Sequence, residues 1–205
     1  MGESNAFSIA TVGTRLWRTG CALRYTAHMD MSVEGIPEFG TKRENEERRD
    51  GGCGVVFDPA TQRYAVGEYT GDGNGLYILF SGGVNDDEDI EQGILREVRE
   101  ESGLHDFMHV ERIGDVFTHY RNIAKNVNRV AKATCFLAVV RSADTVPTQL
   151  EAHEKFSLVW ATMEEIFANW QARNENKDYD HWIYFLNKAV ARAVELGFDT
   201  TNRLA

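Results

Sequence analysis

The stretch GGVNDDEDIEQGILREVREESGL, Gly82 to Leu104, decides the fold. It carries eight carboxylates (Asp86, Asp87, Glu88, Asp89, Glu91, Glu97, Glu100 and Glu101) against two arginines, Arg96 and Arg99. Asp89 has the short acidic side chain of a helix N-cap, and Gln92, three residues on, can close a capping-box-like pair. Acids before and within the first turn suit the positive end of the helix dipole. Gly103 suits a left-handed terminator. The segment therefore predicts a helix from Ile90 to Ser102, with Ile94, Leu95 and Val98 as the apolar stripe facing a core.

On that helix Glu97, Glu100 and Glu101 stand at i, i+3 and i+4, so their carboxylates share one flank. Like charges at these spacings weaken a helix by roughly a few tenths of a kcal/mol per pair. Salt bridges from Arg96 and Arg99 offset this, or a bound cation does. Hard oxygen clusters suit Mg²⁺ or Mn²⁺, which keep waters for a phosphate-bearing ligand. A solvated acidic face has the same spacing, so helix geometry alone leaves both readings open.

Working outward, Leu76 to Phe80 (LYILF) reads as a short strand running into Ser81-Gly82-Gly83. GCGVVFD and RYAVGEYT read as two strands joined by a turn at Asp58-Pro59. Further strands are predicted in HVERIGDVFTHY, RVAKATCFLAVV and SLVWAT, and helices in MEEIFANWQ and His181 to Leu196. Strands interrupted by helices imply an α/β or α+β layered domain. Residues 1–50 are expected to be an N-terminal extension, with strands at SIATVGTRLW and ALRYTAHMDM and a loop from Gly35 to Gly40. Lys42 to Asp50 reads as a solvated linker or short helix, and residues 51–205 as the main domain.

At 205 residues and 42% hydrophobic content the chain can bury a core. Its formal charge of −10 opposes binding to nucleic acid backbones, apart from a local basic patch around Arg121 to Lys132. Cys21, Cys53 and Cys135 fit no zinc or redox spacing, and Cys135 lies in an apolar run as a small hydrophobe would. Sparse cysteines and the lack of a signal-like N-terminus or long apolar run place the expected location in the cytoplasm, away from membranes.

Gly82, five residues, Glu88, seven residues, then Arg96-Glu97-Val98-Arg99-Glu100-Glu101-Ser102-Gly103-Leu104 resembles the Nudix box, G-x5-E-x7-R-E-U-x-E-E-x-G-U, with U aliphatic. All nine defined positions fit, and a chance match in a chain this long is rarer than about one in a million at average residue frequencies. The resemblance is strong over the box and looser from Gly51 to Trp170. Phe80-Ser81 and Asp87 depart from the Pro-Gly and Gly common in the family, without removing a ligand. It implies an α/β/α sandwich around a mixed sheet and hydrolysis of a diphosphate bond in a nucleoside diphosphate linked to another moiety. The cofactor would be Mg²⁺ or Mn²⁺, held by Glu97, Glu100 and Glu101.

Carried over position by position, Glu88 and Arg96 would pair to hold the loop. Gly82 and Gly83 would let backbone approach metal or phosphate, and Gly103 would end the helix. The proton of the attacking water would pass to Glu100, Glu101 or an outside glutamate, with Glu154 the first candidate and Glu151 its rival. His119 and His153 are further substrate-contact candidates, and Trp17, Tyr120 and Trp182 are candidates for base stacking, although core packing is the default for aromatics. Lys125-Asn126-Val127-Asn128-Arg129 resembles a run in Nudix-like modules associated with some bacterial aminoacyl-tRNA synthetases. That makes Lys125 and Arg129 phosphate candidates beside the plainer reading of a solvated hairpin. The resemblance leaves a homodimer through N-terminal strands open. Competing readings are a non-catalytic nucleotide or ADP-ribose sensor and an isoprenoid diphosphate isomerase-like enzyme. The latter needs a positioned cysteine that neither Cys53 nor Cys135 matches.

Overall fold

The computed structural model describes residues 35–70, 75–85, 87–122, 126–151, 154–174 and 177–202. The expected strands at SIATVGTRLW and ALRYTAHMDM, with Trp17 and Cys21, lie outside the described residues, as do Asp86, Lys125 and His153. Among the described residues the order is β1 (Glu38–Gly40), β2 (Glu47–Arg48), β3 (Gly51–Asp58), β4 (Arg63–Tyr69), β5 (Tyr77–Ile78) and β6 (Phe80–Gly83), then α1 (Ile90–Ser102). There follow β7 (Phe107–Asn122), β8 (Val127–Val140), β9 (Phe156–Ala161), α2 (Met163–Gln171) and α3 (Asp180–Glu195).

The strands form one mixed sheet in the order β1-β7-β8-β3-β4-β5, with β2 on β8, β6 on β3 and β9 on β4. β3 runs parallel to β8 from Gly51 opposite Ala133 to Phe57 opposite Val139. Burial on both faces explains why β3 reads as a nearly unbroken run of small and apolar residues rather than an alternating one. On one face Val56, Ala138 and Phe80 pack against Val98 of α1. On the other, Val55, Phe57, Cys135 and Leu137 pack with Ile166 and Trp170 of α2 and Leu186 and Ala189 of α3. The result is an α/β/α sandwich. Cys53 and Cys135 lie in register and buried, as small core residues do.

Three local expectations give way to tertiary contacts. Gly35 to Gly40, expected as loop, contains β1, which pairs in parallel with Phe117 to His119 of β7. Within Lys42 to Asp50, Glu47 and Arg48 form β2 on β8. Leu76 to Phe80 is not one strand: Tyr77 and Ile78 pair with β4, whereas Phe80 to Gly83 pair with β3. The change of partner falls at Leu79, whose side chain is buried in the α2/α3 layer.

A Cβ added to Gly52 would stand 2.0 Å from the Thr134 carbonyl oxygen and 2.8 Å from Cδ1 of Ile94. Backbone cannot yield there without parting β3 from β8. Gly52→Ala should therefore cost about 3 kcal/mol or more, read as a lower urea midpoint. An unchanged midpoint would show that the two strands separate freely.

Candidate active site

Helix α1 starts where Asp89 Oδ1 accepts from the backbone N–H groups of Glu91 and Gln92 at 3.0 and 3.3 Å. It ends at Gly103, whose φ of 79° is left-handed and whose N–H donates to the Arg99 carbonyl. Fully buried Ile94 and Val98 seat it on the sheet, which turns Glu97, Glu100 and Glu101 toward β6. Glu101 is 7% exposed and accepts a 2.7 Å hydrogen bond from the Ser81 backbone N–H. Burial pushes its carboxyl well above the usual range; the Ser81 bond opposes this, and the charges of Glu154, Glu97 and Glu100 add to it. Burial also raises Glu97, against the pull of Arg96.

Arg96 is the hub of the loop. Its Nε donates to Glu88 Oε1 at 2.9 Å, and its Nη2 to Glu88 Oε2 at 3.1 Å and the Gly83 carbonyl at 3.2 Å. Its Nη1 donates to Glu97 Oε1 at 2.8 Å and Glu100 Oε2 at 3.0 Å. This bidentate grip, helped by the Asn85 backbone N–H, holds the Glu88 carboxyl down to about 2. A depressed carboxyl stabilises the fold above its unfolded value and loses that contribution as pH falls through the folded one. Arg96→Met should move the Glu88 transition from about 2 toward 4.5, so the loop loosens at a higher pH. Carboxyl-carbon NMR titration reads this directly, and an unmoved Glu88 would show that Arg96 does not hold it.

The donor set fits a hard divalent cation. Every contributing atom is a carboxylate oxygen, burial and the charges of Glu100 and Glu154 raise Glu97 and Glu101, and Gly82 leaves the space beside Glu97 open. A Cβ on Gly82 would lie 2.0 Å from the Glu97 carboxyl carbon. Among the described residues, however, no three His, Cys, Asp or Glu side chains are already gathered as a metal cluster. The cause is visible: Arg96 Nη1 stands between Glu97 and Glu100, and Glu101 is drawn to Ser81.

Two cavities meet here. The smaller, about 230 Å³, is lined by Glu97, Glu100, Glu101, Glu151 and Glu154 with Arg96 and Arg49. The larger, about 440 Å³, shares Arg49, Gly83, Glu97, Glu151 and Glu154 with it and extends under Tyr120, Trp182 and Phe185. Ala131 and Ala133 of β8, opposite Thr118 and Val116 of β7, leave the room for it.

A family model described as the NUDIX domain matches residues 48–183. The chain belongs to the NUDIX family. Its NUDIX fold is similar to that of the MutT protein from Methanosarcina mazei Go1, with TM-score 0.52, 16% identity, and coverage of 73% of this chain and 98% of that one. The NUDIX domain of Shewanella oneidensis NrtR complexed with ADP ribose gives 0.51, 17%, 72% and 89% in the same order. A C. elegans Ap4A hydrolase binary complex gives 0.51, 16%, 72% and 98%. Identities this low carry the fold alone. No curated protein matches the chain.

Within the NUDIX domain the box acids and Glu154 share the smaller cavity, and Gly82, Gly83 and Arg129 line the larger one. Arg129 is ion-paired with Glu47 at 3.1 Å. The two asparagines of the Lys125–Arg129 run serve the hairpin: Arg121 donates to Asn126 and, at 3.2 Å, to Asn128, which itself donates to the Glu44 carbonyl at 2.8 Å. Tyr120 and Trp182 face the larger cavity. Both ring nitrogens of His119 are engaged within the fold: its Nδ1 meets Glu46 at 2.8 Å and its Nε2 meets Glu38 at 2.7 Å, so it clamps β1 and the following turn to β7. Arg49 was hidden in the mixed-charge run Lys42 to Asp50. Its guanidinium lies over Gly83, at the junction of both cavities.

Proposed function

We propose that the chain is a Mg²⁺- or Mn²⁺-dependent hydrolase that cleaves the diphosphate bond of a nucleoside diphosphate linked to another moiety. The observation that carries this reading is the continuity of a five-glutamate cavity with a larger one of arginine and aromatic character. Glu97, Glu100 and Glu101 would hold the cation, with Arg96 released from Glu97 and Glu100. A divalent cation there screens diphosphate charge and lowers the pKa of a bound water. Arg49 holds phosphate oxygens over the backbone of Gly83, with Arg129 behind it. Glu154, on the loop before β9 and shared by both cavities, takes the proton from the attacking water. Gly82 and Gly83 keep the approach to Glu97 and Arg49 open. The ADP ribose bound to the NrtR domain and the substrate named for the Ap4A hydrolase share a nucleoside phosphate chain, in keeping with this ligand class.

The test is a panel of ADP-ribose, dinucleoside polyphosphates and nucleoside triphosphates with Mg²⁺ and Mn²⁺, products being identified by mass. Release of a nucleoside monophosphate, lost in Glu100→Gln, is expected. Thermal stabilisation by a ligand with no turnover under either cation would instead assign a non-catalytic nucleotide sensor.

A further inference from the structure

Among the described residues two side-chain atoms are buried without a hydrogen-bond partner: Thr118 Oγ1 and His181 Nδ1. Buried polar atoms are paired in the great majority of native proteins, so each orphan calls for a physical reason. These two come from elements far apart in the chain, β7 and the start of α3, yet both line the larger cavity. Thr118 is 3% exposed, so solvent does not satisfy its hydroxyl. His181 as a residue keeps some surface, but its Nδ1 is closed off. Burial pushes the imidazole down to about 4, so the ring is neutral at pH 7, and a hydrogen bond with the Asp178 backbone opposes that shift.

The surroundings narrow the partner. Tyr120, Trp182 and Phe185 give the cavity flat apolar walls, and Arg49, Arg121 and Arg129 also line it, Arg129 opposite Tyr120. A hydroxyl turns to donate or accept, and a neutral imidazole nitrogen does one or the other by tautomer. A planar ring with a donor and an acceptor on one edge satisfies both atoms while its faces meet aromatic walls. A further phosphate would find no charge in a threonine and a neutral histidine. We propose that Thr118 and His181 read the hydrogen-bonding edge of a nucleobase held among Tyr120, Trp182 and Phe185. This deepens the hydrolase reading, on which its ligand class rests, by assigning specificity to residues outside the acidic helix.

Calorimetric titration of the full chain in EDTA, with AMP, GMP, CMP, UMP and ribose 5-phosphate, tests it. At least one nucleotide should bind about tenfold or more tighter than ribose 5-phosphate. Thr118→Val should cut that preference by about fivefold or more, with ribose 5-phosphate binding unchanged. Its melting temperature should stay level or rise, because an unpaired buried hydroxyl is removed. His181→Phe should lose the preference in the same way. A parent that binds no nucleotide better than ribose 5-phosphate, or a preference intact in Thr118→Val, overturns the assignment. Monophosphates contain no diphosphate bond, so the result is independent of turnover. Loss of base preference in Thr118→Val with no hydrolysis of any compound would defeat the hydrolase reading and leave this one standing.

Discussion

Glutamine at position 101 should remove turnover and stabilise the protein at once. Glu101 is the most deeply buried acid of the box, and its carboxyl is raised by burial and by three neighbouring glutamates. Glutamine keeps an oxygen to accept from the Ser81 N–H, so the anchor of β6 to α1 survives while the buried charge goes. A fall in kcat of at least roughly 10²-fold is expected of a positioned catalytic carboxylate. Relief of the buried charge should raise the melting temperature by about 2–4 °C, as about 1 kcal/mol does in a domain of this size. Opposite movements of activity and stability are the mark of a residue kept for function. Melting curves without added cation, beside turnover of the best substrate, check both. Retained turnover would reduce Glu101 to an anchor, and a lower melting temperature would mean that its charge stabilises the fold.

The second large effect is expected from one methyl group. In Gly82→Ala the new Cβ meets the Glu97 carboxylate, with its carbon at 2.0 Å and oxygens at 2.3 and 2.4 Å. The obstacle is the end of a flexible side chain, so the fold tolerates the change and Glu97 moves. Displacing a catalytic group by about 1 Å costs roughly 10²-fold in rate, so kcat should fall on that scale with little loss in urea midpoint. Gly83→Ala is the control, because its Cβ would meet the Arg49 guanidinium at 2.8 Å instead. It should raise KM more than it lowers kcat. Equal kinetics in the two variants would remove the distinction drawn between Glu97 and Arg49.

The sequence reveals most where the chain states its own boundaries. Asp89 and Gly103 cap α1 through contacts within a few residues, so the helix limits can be read locally. The pairing of Glu88 with Arg96, which the resemblance of the box implies, is present as well. What could not be read depends on partners distant in sequence. The break at Leu79 reflects a change of neighbouring strand, not a change in hydrophobicity. Arg49 looks like any arginine in a run of mixed charge until β3 and β6 bring it over Gly83. Thr118 is an ordinary β-branched strand residue, and His181 an ordinary polar residue near a helix start. Their shared lack of partners appears only once β7 and α3 meet across the sheet.

The small side chains of Ala131 and Ala133 give the larger cavity a consequence of its own. Both lie on β8 and face the same space as Thr118. A larger residue at either position would narrow the chamber from its β8 side, whereas the box glutamates belong to α1. On the proposed function, the residues that shape what enters and those that would act on it then belong to different elements, so a substitution in β8 could change the ligand without replacing a box residue.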